Sequence, residues 1–224
     1  MNIHITICAA SQANEINLYD HLSSFEYQRA LTISNEIARS TYIKSRAFLR
    51  HVLSDELSVD PRNINVERSI YGKPYIPGGP SFNLSHSGSH LAIAICEKEP
   101  IGFDIEQLDT KLDFSRLTES CFSTHELRQL NSMTHSNRRS AFFIGWTRKE
   151  AILKGLGTGF CIAPSDFDVS LDKSERLPLL KSRTEQLITK KWQLIDIPVF
   201  QNAFSAIAVQ SCQSIRLFYK TIEF

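Results

Sequence analysis

Residues 101–106 alternate between two kinds of side chain, which is the pattern of a β-strand with two different faces. One face would carry the apolar side chains of Ile101, Phe103 and Ile105. The other would carry Gly102, Asp104 and Glu106. The segment therefore predicts a strand on which two carboxylates share a face, beside a glycine that lets another group approach closely.

A long helix is predicted over residues 137–155, where glycines after Lys154 end the helical pattern. Its core-facing stripe consists of Phe142, Phe143, Trp146 and Leu153. Glu150 lies four residues after Trp146, so it borders that stripe, and Lys154 follows it by one turn. A carboxylate in that position needs a compensating partner, and a metal ion is one.

Asp104, Glu106 and Glu150 together offer three carboxylates, and Lys154 adds an ammonium group. Carboxylate oxygens suit Mg²⁺, and a lysine beside the ion could bind a phosphate. The alternatives are plainer: the two strand acids could be surface residues at a sheet edge, and Lys154 could favour the helix C-terminus electrostatically. The presence of a third acid beside a tryptophan favours the metal site.

Two further segments could contact phosphate groups. Residues 83–88 place Ser85 and His86 near a turn between two predicted strands. Neighbouring strand residues point to opposite faces, so this pair does not make a hydrolase triad. The tight turn at residues 71–74 presents Lys73.

The 224 residues suffice for one sizeable domain or two small ones. Strands are predicted near 2–9, 64–68, 82–86, 91–96, 101–106, 192–198, 204–210 and 215–223, and helices within 23–57, from about 124 and over 137–155. The apolar segment 205–209 echoes 91–95. We therefore expect an α+β fold of two subdomains, residues 1–100 and 101–224, with the metal site in the second and a ligand cleft at their interface.

Bulk properties narrow the function classes. A net charge of +1 argues against a nucleic-acid binder, although basic residues cluster locally, for example Arg148 and Lys149. Those basic residues are expected on solvated helix faces, with some lining an anion site. No segment is apolar over the roughly 18 residues of a membrane span. The absence of a signal-peptide pattern and five scattered cysteines with no CxxC pair predict free thiols in the cytoplasm.

Four segments, in this order, resemble the signatures of 4′-phosphopantetheinyl transferases of the surfactin-synthetase-activating (Sfp) type. They are Tyr71-Gly72-Lys73-Pro74, Phe82-Asn83-Leu84-Ser85-His86-Ser87, Gly102-Phe103-Asp104-Ile105-Glu106, and Trp146-Thr147-Arg148-Lys149-Glu150-Ala151 through Lys154 with Gly157-Thr158-Gly159. The resemblance is strong over residues 70–160. Phe103 departs from the smaller aliphatic residue usual before the aspartate, and we expect it to face the core.

The resemblance implies two similar subdomains related by a pseudo-twofold, each a small sheet packed with helices, with coenzyme A between them. It implies transfer of 4′-phosphopantetheine to a serine of an apo acyl or peptidyl carrier protein by a monomer. Asp104, Glu106 and Glu150 would hold Mg²⁺, Lys154 would contact phosphate, and Glu150 is the expected base. The nucleotide phosphates would be held by Lys73, Ser85 and His86, and the 3′-phosphate by Arg29, Arg39 and Arg46 as candidates.

Two other functions fit part of the pattern. Three acids and a lysine could activate water in a metal-dependent phosphohydrolase, which would need no protein acceptor. A non-catalytic module could bind coenzyme A or a carrier protein, and it would tolerate the loss of Glu150. The sequence leaves open which carrier, from fatty-acid, polyketide, siderophore or other peptide synthesis, is modified.

Overall fold

The computed structural model describes residues 1–9, 15–109, 113–173, 179–183, 191–198 and 200–223. Its helices are α1 (Glu15–Leu18), α2 (Ser24–Leu31), α3 (Glu36–Leu57), α4 (Ser115–Cys121), α5 (Thr124–Ser132) and α6 (His135–Leu156). Its strands are β1 (Asn2–Ala9), β2 (Glu67–Arg68), β3 (Pro74–Tyr75), β4 (Ser81–Ser87), β5 (His90–Cys96), β6 (Ile101–Gln107), β7 (Phe167–Val169), β8 (Leu179–Ser182), β9 (Trp192–Asp196), β10 (Ala203–Gln210) and β11 (Arg216–Thr221). The predicted α+β class is confirmed.

Two sheets lie face to face between two long helices. The first sheet has the order β11-β1-β5-β4, and the second has the order β6-β10-β9. Apolar side chains of β1 and β5, such as Ile5 and Ala94, pack against Phe103 and Ile207 of the second sheet. α3 covers the outer face of the first sheet and α6 that of the second. We call the first sheet with α3 the first unit, and the second sheet with α6 the second unit.

The two units repeat one connectivity. Each contains a strand, a 22-residue helix and two further strands, and the last strand pairs antiparallel with both others. β11 is an exception, because it follows the second unit in sequence but pairs in parallel with β1 of the first.

Similar caps precede the long helices. Ser23 and Glu26 form a capping box on α2, and Ser123 and Glu126 form one on α5, as the sequence predicted near residue 124. Each capping glutamate is buried and pairs with a cation on the long helix that follows, Arg50 in one case and Lys149 in the other. A buried carboxylate requires such a partner, so the caps also tie the short helices to the long ones.

Arg148 and Lys149 correct the expectation that the basic residues of α6 lie on a solvated face or line an anion site. Both are fully buried. The Arg148 guanidinium binds the Asp196 carboxylate with two hydrogen bonds, at 2.9 and 2.7 Å. The Lys149 ammonium is 2.8 Å from Glu126 and donates to the carbonyls of Pro164 and Phe167. The two cations therefore hold α6 to its neighbours.

α6 touches β6 backbone to backbone at Gly102. A Cβ added at Gly102 would stand 1.9 Å from the carbonyl oxygen of Ala151 and 2.2 Å from the amide nitrogen of Gly155. The predicted close approach is therefore made by the helix. Phe103, on the other face of β6, is fully buried in the core between the sheets, as expected. None of the described helices combines the length and apolar character that crossing a bilayer requires.

We predict that Gly102→Ala will lower the free energy of unfolding by about 3 kcal/mol, because the added methyl group must push the helix backbone away from the sheet. Thermal or urea unfolding measures the change. Gly79→Ala is the matched control, since the nearest atom to its Cβ is a methyl carbon of the Ile76 side chain, at 2.5 Å in an exposed turn. Equal stability losses in the two variants would contradict the assigned contact.

Candidate active site

Asp104 and Glu106 lie on the face of β6 that α6 covers. The alternation predicted for this strand is confirmed, with Ile101, Phe103 and Ile105 fully buried on the other face. Asp104 is only 2% exposed, whereas Glu106 is half-buried. Asp104 is therefore not the surface residue of a sheet edge that the plainer alternative required.

Asp104, Lys154 and Ser85 form one hydrogen-bonded group. The Lys154 ammonium donates to Asp104 Oδ1 at 2.5 Å and to Ser85 Oγ at 3.0 Å. The Ser85 hydroxyl donates to the same carboxylate oxygen at 3.1 Å. The contacts join the first unit to the second, since Ser85 lies on β4.

The second oxygen of Asp104 is left without compensation. Oδ2 is buried and meets no hydrogen-bond partner among the described residues. Burial raises the pKa of Asp104 to about 7; Lys154 opposes the shift and the charge of Glu106 adds to it. A buried carboxylate oxygen with no donor is costly, and a cation would remove that cost.

Both oxygens of the Glu106 carboxylate accept a hydrogen bond. The Ser87 hydroxyl donates to Oε2 at 2.9 Å, and the Trp146 indole donates to Oε1 at 3.1 Å. Trp146 belongs to α6 and Ser87 to β4, so the carboxylate accepts hydrogen bonds from both sides of the cleft. A structural role of Trp146 as a donor was not predicted, because the sequence assigned it only to the apolar stripe.

Glu150 stands half-buried on α6, one turn before Lys154. Burial raises the pKa of its carboxyl group, and repulsion from Glu106 adds to that effect, while Lys154 opposes it. The negative charges of Glu106 and Glu150 likewise raise the pKa of Asp104. The three acids are therefore electrostatically coupled, and one ammonium group compensates them only in part.

In the part of the chain that the structure describes, no three acidic, histidine or cysteine side chains are close enough together to form a ready-made metal centre. Asp104 and Glu106 are instead engaged by Lys154, Ser87 and Trp146. The donor set nevertheless fits Mg²⁺, because the ion prefers carboxylate oxygens and the buried Oδ2 of Asp104 lacks a donor.

Two clefts meet at Lys154. One, of about 570 Å³, is cationic and is lined by Arg46, Arg68, Ser85, His86 and Lys154, among others. The other, of about 270 Å³, is mainly apolar and runs past Tyr71, Pro74, Leu84 and Leu153 to Glu150. The arrangement suits a ligand with an anionic part and an uncharged part that meet beside the acids.

Ser85, His86 and Arg46 are in the cationic cleft, where the sequence expected phosphate contacts. Partial desolvation lowers the pKa of His86, and the charge of Lys154 lowers it further, while Glu106 opposes the shift. Burial lowers the pKa of Arg46, and its Nε, which is buried, has no acceptor within the described ranges. Such a guanidinium can accept an anionic ligand without first losing a protein partner at that nitrogen.

The remaining predicted phosphate ligands lie outside the cationic cleft, although Lys73 lines the apolar cleft that adjoins it. The Lys73 ammonium donates to the carbonyls of Ile101 and Gly155, at 3.0 and 2.9 Å, and its burial lowers its pKa to about 8. Arg39 lines a neighbouring cleft of about 700 Å³, which also includes His86. Arg29 is exposed and donates to the Thr32 hydroxyl. The structure thus brings together only part of the predicted set.

Arg68, Ser87 and Asn83 are functional candidates that the sequence did not single out. Arg68 ends a predicted strand and belongs to no motif, and its place in the cationic cleft depends on the turn between β2 and β3. Ser87 was part of a recognised segment, but its partner is 19 residues away in the chain. Pairings across two sheets leave no periodic signal in a single sequence.

Comparisons with known proteins identify the family that the chain resembles. Residues 100–205 match the family model described as the 4′-phosphopantetheinyl transferase superfamily. The chain is 29% identical over 193 residues to 4′-phosphopantetheinyl transferase HetI of Nostoc sp., covering 84% of this chain and 78% of that protein.

Two relatives from Bacillus subtilis match over shorter stretches. The chain is 33% identical over 131 residues to 4′-phosphopantetheinyl transferase ffp, which covers 58% of this chain and 57% of that protein. It is 31% identical over 133 residues to 4′-phosphopantetheinyl transferase Sfp, with 58% of each protein covered. The family match includes β6 and α6, which carry the three acids and Lys154. The chain therefore belongs to the 4′-phosphopantetheinyl transferase superfamily, and within it to the type of HetI and Sfp.

Proposed function

We propose that this enzyme moves the 4′-phosphopantetheine arm of coenzyme A to a serine hydroxyl of an apo acyl or peptidyl carrier protein. The observation that carries the proposal is the buried, uncompensated Asp104 beside Lys154, at the junction of a cationic and an apolar cleft. The cationic cleft suits the phosphates of the nucleotide, and the apolar cleft suits the pantetheine arm. Membership of the transferase family supports the same reaction.

Asp104, Glu106 and Glu150 would hold Mg²⁺, which, when bound, neutralises the diphosphate of coenzyme A and makes it a better leaving group. Lys154 is placed to stabilise the negative charge that develops on the departing phosphate oxygen. Arg46 and His86, with Arg68 beside them, would hold the nucleotide phosphates in the cationic cleft. These roles concern positioning and charge, which are the main demands of phosphoryl transfer.

Glu150 is the base that we assign to the incoming serine. Its carboxylate borders the apolar cleft beside Lys154, next to the position that the diphosphate would occupy. The serine oxygen attacks the phosphorus that bears the pantetheine arm as Glu150 takes the hydroxyl proton. The bond from that phosphorus to the bridging oxygen breaks, and adenosine 3′,5′-bisphosphate leaves with the electron pair.

The repeated connectivity supports a pseudo-twofold relation between the two units, with the coenzyme A cleft where β4 faces β6. Each unit supplies part of the site, since Ser85 and His86 come from the first and the acids from the second. We propose that a single chain completes the site as a monomer. Coenzyme A as co-substrate and the five free cysteines favour work in the cytoplasm.

The decisive experiment is mass spectrometry of several apo carrier proteins incubated with the enzyme, coenzyme A and Mg²⁺. We expect one carrier or more to gain the mass of one phosphopantetheine arm. Release of adenosine 3′,5′-bisphosphate without any modified carrier would contradict the proposal and indicate a phosphohydrolase.

Glu150→Gln should reduce the rate of carrier modification about 100-fold or more, because the amide can neither accept the serine proton nor supply an anionic ligand. The unfolding temperature should stay close to that of the wild type. Glu97→Gln is the control, since its carboxylate is 84% exposed and lies in the turn between β5 and β6, outside the linings of both clefts. Undiminished transfer by Glu150→Gln would remove the assigned role.

Protons and Mg²⁺ should compete at Asp104. The pKa of this group is raised from 3.8 to about 7 by burial, so it is protonated in the metal-free enzyme below that pH. At limiting Mg²⁺, we expect the transfer rate to fall about tenfold per pH unit below this pKa, and higher Mg²⁺ should move the fall to lower pH.

The stability of the metal-free enzyme should change in the opposite direction. The folded state binds more protons than the unfolded state between the two pKa values of Asp104, so the free energy of unfolding falls as pH rises through that window.

Rates measured across pH at two Mg²⁺ concentrations test the competition between protons and Mg²⁺ at Asp104. An acid limb that Mg²⁺ does not move would contradict it.

A further inference from the structure

Alternate side chains of β4 reach from the first sheet to the backbone of β6 in the second. The amide oxygen of Asn83 accepts from the Phe103 N–H at 2.9 Å, and the Ser85 hydroxyl accepts from the Ile105 N–H at 3.3 Å. The Ser87 hydroxyl accepts from the Gln107 N–H at 3.0 Å. β4 and β6 are edge strands of different sheets, so side-chain oxygens stand where the carbonyls of a neighbouring strand would be.

Two of these side chains also bind the acids. The Ser85 hydroxyl donates to Asp104, and the Ser87 hydroxyl donates to Glu106 at 2.9 Å. A hydroxyl has one proton and two lone pairs, so it can accept from a backbone N–H and donate to a carboxylate together. Each serine therefore connects an acid of β6 to the backbone N–H of the residue that follows that acid.

Ser87 makes fewer contacts than Ser85, so the effect of replacing it has a simpler cause. Ser85 also accepts from Lys154 and lines the cationic cleft, so its loss would disturb several contacts. Among the described residues, the Ser87 hydroxyl bonds to Glu106 and the Gln107 N–H, and Trp146 donates to the other oxygen of Glu106. A half-exposed glutamate has several side-chain rotamers, and two donors from different elements select one of them.

We infer that Ser87 is a positioning residue that holds the Glu106 carboxylate in the orientation in which it binds the divalent cation. The inference rests on the proposed metal role of Glu106 and extends it to the first unit. Ser87 contacts neither the ion nor the substrate in this role. It fixes the direction of Glu106, so the first unit helps to shape a metal site whose carboxylates all come from the second.

The test is a titration with Mn²⁺ alone, in which free Mn²⁺ is counted by electron paramagnetic resonance. Ser87→Ala should bind Mn²⁺ about tenfold more weakly than the wild type, because a ligand without its orienting hydrogen bond must be ordered at the moment of binding. Ser87→Thr should restore the affinity, since threonine retains the hydroxyl and suits a strand. Ser81→Ala is the matched control, because Ser81 lies on the same face of β4 at its other end.

The transfer assay supplies a second readout. Ser87→Ala should need more Mg²⁺ for half-maximal rate, while its KM for coenzyme A and its rate at saturating Mg²⁺ stay near the wild-type values. Unfolding temperatures of the variants show that the comparison is made on folded protein.

The outcomes separate this inference from the proposed function. Wild-type Mn²⁺ affinity in Ser87→Ala would overturn the inference, as would equal losses in Ser87→Ala and Ser87→Thr. If carrier modification fails while Ser87→Ala still weakens Mn²⁺ binding, the transferase proposal falls and the positioning role stands. A slower transfer with unchanged Mn²⁺ affinity would overturn the role assigned to Ser87 and leave the transferase proposal intact.

Discussion

The contact between α6 and β6 at Gly102 sets the geometry on which the site depends. The helix backbone reaches the strand where a side chain would block it, with Ala151 and Gly155 against Gly102. Glu150 and Lys154 each come directly before one of these two helix residues, and Asp104 follows Gly102 by two residues along the strand. The close approach therefore brings Lys154 to Asp104, and any group larger than hydrogen at residue 102 would separate the cation from the acid.

The periodic features were predictable from the sequence. Alternation in residues 101–106 predicted the two faces of β6, and helical spacing predicted α6 to within two residues at its start and one at its end. Short elements were not predicted, among them α4 and β7, because three to seven residues carry little periodic signal. The order of strands within a sheet depends on packing between distant segments. The local sequence pattern therefore did not predict that β11 pairs with β1.

The candidate site was also predictable from the sequence only in part. Asp104, Ser85 and Lys154 were expected near one another and are in contact. Lys73, expected at a phosphate, lines the apolar cleft, and its ammonium also donates to two backbone carbonyls. These carbonyl contacts depend on the packing of the turn against α6, which no local sequence pattern predicts. The echo between 91–95 and 205–209 also has a hidden difference: Ile93 faces a helix, whereas Ile207 faces the other sheet. Large side chains of β10 thereby meet small ones of β5.

The path of β11 has a mechanical consequence. The chain crosses between the units near Pro100 and crosses back after Gln210, where β11 joins β1. Two covalent chain connections therefore join the units, instead of one flexible linker. A wide hinge opening would have to deform both connections and break the β1–β11 pairing. Sliding of the packed sheets costs less free energy, so we expect the cleft to adjust to its ligand in that way.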